Sequence, residues 1–277
     1  REQNVRVKAK MDDESFSTTR SLATIVRLAA TSKSVLLQPA LSYSAVKRLI
    51  TVSEDEEITP NEESEDALGE EICSAAEELS FTERQGSNEV SVSPALSIAA
   101  LFDADSKEAR DLRPRLHLGW DISGEPSIVA MLTACEFARD DSLGTSRFDR
   151  AYFDQHNIPR LTSSNALFID VISSSGEPHG VGALLALSCY LTVCRSKKYQ
   201  FLCSVAVSVP GQSLFQRLGF HSHSFRQGTQ RHFCWVRAGE LTASDINRRL
   251  RVDPSIPDLC WRQGYTARNR NSKYPRC

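Results

Sequence analysis

The sequence predicts an α/β domain, and three consecutive segments carry that expectation. Ala166–Ile172 is a short run of β-branched, aromatic and aliphatic residues stopped by Ser173–Gly176, the pattern of a buried strand. A glycine-bearing stretch, Gly176–Gly182, then leads without a break into residues in which Leu184, Leu187, Leu191 and Cys194 recur at helical spacing. Arg195, Lys197 and Lys198 follow where the helix dipole favours cations. Phe201–Val209 is a second apolar run, ended by Pro210 and Gly211. A strand, a helix of this length and another strand form a crossover unit, so the two strands are expected to be adjacent and parallel.

The remaining elements are assigned around this unit. Ser93–Phe102 is apolar and fits either strand or helix, and Ile128–Phe137 is a second buried run of undecided type. Arg139–Pro159 is charged and turn-rich and reads as a connecting loop. Leu214, Phe215 and Leu218 give a short amphipathic helix that Gly219 stops, and Arg231–Arg237 reads as a further strand. Residues 1–80 are expected to form an arm with an acidic linker, for which a helix near Ala67–Leu79 is the alternative, 89–240 the folded domain, and 241–277 a basic extension.

Charge is unevenly distributed along the chain. Although the net charge is only -2, residues 53–80 hold twelve acidic side chains and no basic one. Residues 1–52 and 221–277 are net basic, and blocks of this kind are expected to be solvated arms. Such arms offer surfaces for assembly partners. The tail contains Trp261, Tyr265 and Tyr274 among arginines, a mixture able to contact RNA. The longest near-continuous apolar run, Val181–Val193, is shorter than the ~20 residues of a membrane-spanning helix, so no span is expected. The eight cysteines show no Cys-x-x-Cys pair and no zinc-ligand spacing with histidine, which speaks against a metal site and for small buried hydrophobes in an intracellular, reducing compartment. Ser15–Val52 lacks acidic residues and is rich in Ser, Thr, Lys and Arg, a composition compatible with a mitochondrial or plastid destination.

The glycine loop has a chemical use. The first amides of a helix lack internal acceptors and carry partial positive charge, and glycine lets a phosphate approach them. Gly180 and Gly182 stand where this would operate. Glycines that only turn the chain would look the same.

The loop Glu177-Pro178-His179-Gly180-Val181-Gly182 and the later Phe215-Gln216-Arg217-Leu218-Gly219-Phe220 together resemble two motifs of the GNAT acyltransferase superfamily. The likeness runs from about Asn165 to Glu240. It implies a GNAT-like mixed sheet flanked by helices, binding acetyl-CoA or another acyl-CoA. The family pattern would place the cofactor against Val171, Ile172, His179, Gly180, Val181, Gly182 and Ala183, with its pyrophosphate on the loop amides and its pantetheine arm between the two motif strands. The activity implied is transfer of the acyl group to an amine. Two positions depart from the family. Glu177 replaces a Gln or Arg and sets an anion beside the expected pyrophosphate, and Phe215 stands where a tyrosine commonly protonates the leaving thiolate. The second reading is therefore a catalytically degenerate GNAT-fold subunit of a larger assembly.

Other candidates are weaker in chemistry. Asp170, midway along the first motif strand, is a possible base. His221, Ser222 and His223 form no nucleophile elbow and read as a polar turn. Ser146-Arg147-Phe148 resembles a triplet of acyl-homoserine lactone synthases, which share the GNAT fold.

Overall fold

A computed structural model describes residues 22–27, 29–51, 62–85, 88–102, 110–138, 150–224, 231–242 and 246. Helical residues 22–32, residue 28 aside, form α1, followed by β1 (Val35–Leu37), β2 (Leu41–Ser42), α2 (Tyr43–Thr51) and α3 (Glu62–Glu78). A separate hairpin of β3 (Phe81–Gln85) and β4 (Asn88–Val92) leads into α4 (Pro94–Phe102). Then come β5 (Arg115–Asp121), β6 (Ser127–Glu136), α5 (Arg150–Gln155) and β7 (Ala166–Ser174). The chain continues through α6 (Val181–Arg195), β8 (Phe201–Ala206), α7 (Val209–Leu218), β9 (His221–Ser224) and β10 (His232–Arg237).

The architecture is α/β: one mixed eight-stranded sheet in the order β1-β5-β6-β7-β8-β10-β9, with β2 also on β5, flanked by helices. Every pairing in it is antiparallel except β7 with β8. That parallel pair is the one expected from the strand–helix–strand order, with α6 as its crossover.

Alternation along each strand divides the core in two. Leu167 and Ile169 of β7 join a cluster with α1, α6 and α7, while Ala166 and Phe168 join one with α2, α3, α4 and α5. Leu184, Leu185, Ala186, Leu187, Cys189, Tyr190 and Val193 of α6 are wholly buried, so this helix is apolar almost all round. Gly119 admits it. A Cβ there would stand 2.9 Å from Val181 Cγ1, so glycine lets the start of α6 lie close on β5.

Several sequence expectations are corrected. The arm expected over residues 1–80 contributes to the domain: Leu22, Ile25, Val26 and Ala29 of α1 pack on α6, and Val46 and Leu49 of α2 join the opposite core. The acidic linker expected over 53–80 is, from Glu62 on, the helix α3, which buries Ile72, Ala75, Ala76 and Leu79. Glu70, Glu77 and Glu78 are exposed while these apolar residues at helical spacing face inward. The connecting loop expected over Arg139–Pro159 contains α5, whose Phe153 meets Phe137 and Phe233 at ring separations of 6.3 and 5.3 Å. Ser93–Phe102 resolves as the helix α4, and Ile128–Phe137 gives β6. The basic extension lies outside the described residues except Leu241, Thr242 and Ile246, of which Leu241 and Ile246 are buried in the α6 core. Residues 52–61 and Ser146–Phe148 also lie outside them. Among the described residues no helix is long and apolar enough to cross a membrane.

α3 crosses α2 so closely that a Cβ at Gly69 would stand 1.9 Å from the Leu49 carbonyl oxygen. Gly69→Ala must therefore push the two helices apart, and urea denaturation is expected to show a loss of about 1–3 kcal/mol. An unchanged or higher midpoint would mean that α3 does not pack as described.

Candidate functional site

The parallel pairing of β7 with β8 is short. It runs from Ala166↔Phe201 to Ile169↔Ser204, after which β7 stays with β6 as far as Ser174 and β8 stays with β10 as far as Ala206. The sheet thus forks. At the fork the Ser204 hydroxyl donates to the Ile169 carbonyl at 2.9 Å, from a buried position.

The residue immediately past the fork is Asp170. In the β6–β7 register Thr133 stands opposite Val171 and Ala134 opposite Ile169, so Asp170 is the extra residue of a β-bulge. Its side chain turns toward α4, where Ser97 Oγ donates to Oδ2 at 2.5 Å. Thr133 Oγ1 lies 2.7 Å from Ser97 Oγ and accepts from the Val171 amide at 3.2 Å. The donors have one consistent order: Val171 N–H to Thr133, the Thr133 hydroxyl to Ser97, and the Ser97 hydroxyl to the carboxylate. Burial raises the Asp170 pKa, and the Ser97 hydrogen bond opposes that shift.

Beyond β7 the chain enters the glycine loop at the mouth of the fork. Gly176 (φ 92°) and Gly180 (φ 85°) take left-handed backbone conformations that favour glycine. Gly180 is the N-cap of α6 and supplies no side-chain cap, so the first amides of α6 keep their need for acceptors. A Cβ at Gly182 would stand 3.7 Å from Ser174 Oγ and 4.0 Å from Ile172 Cδ1, which places the helix start beside the end of β7.

The expected cofactor residues come together here. Val171 and Ile172 lie on the free part of β7, and His179, Gly180, Val181, Gly182 and Ala183 form the loop and first turn. Val181 and Ala183 bury their side chains in the core, so only their backbone is available to a ligand. The exposed His179 ring folds back on the Gly176 carbonyl, and the His179 carbonyl accepts from Lys33 Nζ. Lys33, from the turn before β1, thus brings a cation to the loop that carries the exposed Glu177.

Other sequence candidates fall elsewhere. Phe215 is buried in the α6 core with its ring 5.0 Å from that of Phe220, a packing position. His221, Ser222 and His223 form the edge strand β9 rather than a turn, because they pair with Trp235, Cys234 and Phe233 of β10 respectively. Burial pushes the Cys189 and Cys234 thiols up to about 12 and about 11, which leaves neither a nucleophile at neutral pH. Among the described residues no group of His, Cys, Asp or Glu could hold a metal ion.

Lys33, Ser97, Thr133 and Ser204 escaped sequence reasoning because each acts on a residue distant in the chain, and no local motif marks them. A cavity of about 380 Å³ between Phe137, Arg150 and Arg160 is separate from the fork. The Phe137 amide bonds the Ala166 carbonyl, which puts that cavity at the closed end of the β7–β8 pair.

No family model matches the chain, and no curated protein does. Among solved structures, it is similar to a chain described as the C-terminal condensation domain of Ebony in complex with beta-alanyl-dopamine, with a TM-score of 0.38 and 8% identity over 73% of this chain and 98% of that one.

His117 shows how tightly the α6 side is closed. It lies two residues from Gly119 on the same face of β5, is 1% exposed, and leaves Nε2 without a partner among the described residues. Burial first, and Arg115 second, lower its pKa from 6.5 to about 4. The unfolded chain therefore takes up this proton first as pH falls, so stability is held above pH 6.5 and lost between there and about 4. The full loss is about 3 kcal/mol. In His117→Leu the difference in unfolding free energy between pH 7.5 and 4.5 should shrink by about 2–3 kcal/mol. An unchanged difference would show that His117 titrates normally.

Proposed function

We propose that this chain is a GNAT-like acyltransferase domain that binds an acyl-CoA in the fork and transfers its acyl group to an amine. The observation that carries the reading is the fork itself, with the glycine loop and the uncapped start of α6 at its mouth. The sheet order supports it, since a mostly antiparallel sheet with one parallel pair crossed over by α6 is the arrangement the two motifs imply.

The residues present suit such a cofactor. The start of α6 offers amides and a positive dipole end to a pyrophosphate, Gly182 keeps the space beside Ser174 clear of a Cβ, and Lys33 supplies a cation. Backbone groups of β7 past Ile169, which a continued ladder would occupy, face the gap and suit an amide-bearing arm. When bound, the acyl thioester supplies the carbonyl carbon that the amine attacks, the C–N bond forming as the C–S bond breaks. In this reading the carboxylate of Asp170, held by Ser97, takes the proton from the amine. Desolvation raises its basicity toward that role. Phe215 supplies no proton, so the departing thiolate takes its proton from water.

The alternative, a degenerate GNAT-fold subunit, is favoured by one observation: Phe215, at the position of the family's general acid, lies in the core and carries no hydroxyl.

Titration calorimetry of the full chain with coenzyme A tests cofactor binding. Micromolar binding is expected, weakened about tenfold by Gly182→Ala, whose methyl enters the gap beside Ser174. Glu177→Gln, which removes an anion from the loop, should tighten binding a few-fold at low salt. Absence of binding in all three proteins overturns the reading. Tight binding without consumption of acetyl-CoA by any amine leaves the degenerate subunit standing.

A further inference from the structure

We propose that the cavity between α5 and the turn leading into β7 is a binding site for a small carboxylate with an apolar body, aryl or short alkyl. The site lies apart from the fork, so the proposal does not rest on the acyl-transfer reading.

Two segments wall the cavity, and hydrogen bonds fix both. One is α5, which contributes Arg150, Phe153 and Asp154; the other, residues 158–162, follows it. Where the chain leaves α5, the Ile158 amide donates to the Phe153 carbonyl at 2.8 Å. At the far end Asn165 holds the second wall, its Nδ2 donating to the Arg160 carbonyl at 2.9 Å and its Oδ1 accepting from the Thr162 amide at 2.8 Å. The Asn165 carbonyl accepts in turn from the Gln200 and Phe201 amides at 2.7 and 3.1 Å, which ties that wall to β8. The cavity of about 380 Å³ is therefore preformed, and it falls within the roughly 300–1,000 Å³ usual for small-molecule sites. A ligand entering it has little of the protein to order.

The lining divides into two kinds of side chain. Phe137, Phe153, Ile158 and Leu161 are buried hydrophobics, whereas Arg150, Asp154 and Arg160 are exposed and charged. Two guanidinium groups against one carboxylate leave a local charge of +1. Arg150 Nε lies 3.7 Å from Asp154 Oδ2, and with side chains 88% and 72% exposed that pair is loosely held. The Arg160 guanidinium has no hydrogen-bond acceptor or carboxylate partner among the described residues. A ligand with one negative charge balances the site, and a planar carboxylate matches the paired donors of arginine. A wholly polar anion would leave the apolar lining unused, and a neutral apolar molecule would leave the arginine unanswered. A carboxylate with an apolar body meets both, adding hydrophobic transfer to the charge pairing.

Calorimetry on the full chain at low salt tests this with three probes: phenylpropionate, propionate as the head without the ring, and phenylpropanol as the ring without the charge. Phenylpropionate is expected to bind about tenfold or more tightly than either. Arg160→Gln, an exposed change that leaves the core untouched, should weaken phenylpropionate about tenfold and leave phenylpropanol unaffected. Asp154→Asn removes the anion from the lining and should tighten phenylpropionate a few-fold. Equal binding of phenylpropionate and propionate overturns the proposal, as does an undiminished affinity in Arg160→Gln or a loss there that phenylpropanol shares. Weaker binding in Asp154→Asn overturns it as well. Coenzyme A titrated into the same samples reports on the fork alone: its failure to bind would condemn the acyl-transfer reading and leave a carboxylate site that depends on Arg160 standing.

Discussion

Four residue pairs of parallel ladder, Ala166–Ile169 against Phe201–Ser204, hold the two halves of the sheet together, and the rest of the molecule is arranged around where they stop. A parallel pair demands a crossover, and here that crossover is α6, whose side chains fill the core on one face. Because pairing ends at Ile169 and Ser204, the strands continue as edges of two separate antiparallel units. An edge inside a sheet exposes backbone donors and acceptors that need partners. The Ser204 hydroxyl meets the last such carbonyl from within.

The opposite end of the same strands is built for closure. Glu136, 4% exposed at the end of β6, accepts from the Tyr199 hydroxyl at 2.8 Å and from Lys198 Nζ, and Arg113 Nε lies 3.8 Å away. Arg115 reaches the Tyr199 hydroxyl at 3.3 Å. These contacts tie β5, β6 and the turn after α6 together, while the rings of Phe137, Phe153, Phe168 and Phe233 pack close by. A buried carboxylate that lost these donors would be left unpaired, so the cluster resists opening.

What the sequence made legible was local. The β7–loop–α6–β8 unit could be read because its signals, a β-branched run, glycines and helical spacing, fall within forty or so residues and agree with one another. The acidic block concealed the packing of α3 rather than its helicity, since twelve carboxylates dominate the block while burial rests on Ile72, Ala75, Ala76 and Leu79. Phe215 reads in the sequence as a missing acid, but its ring belongs to the core, a distinction only packing could make.

Asp170 was legible as a possible base but its surroundings were not, because they are assembled from three elements. Ser97 on α4, Thr133 on β6 and the Val171 amide produced by the bulge form a single directional chain of hydrogen bonds. In that direction each hydroxyl donates once toward the carboxylate, so the chain is complete when Asp170 is ionised. Protonation would bring a proton to a carboxylate whose Oδ2 already accepts from Ser97, and it would forfeit a charge-assisted hydrogen bond. Burial pushes the other way, raising the pKa. The two effects oppose each other in a single side chain beside the open end of the fork, so the proton affinity of this carboxylate depends on how fully Ser97 keeps its hydrogen bond.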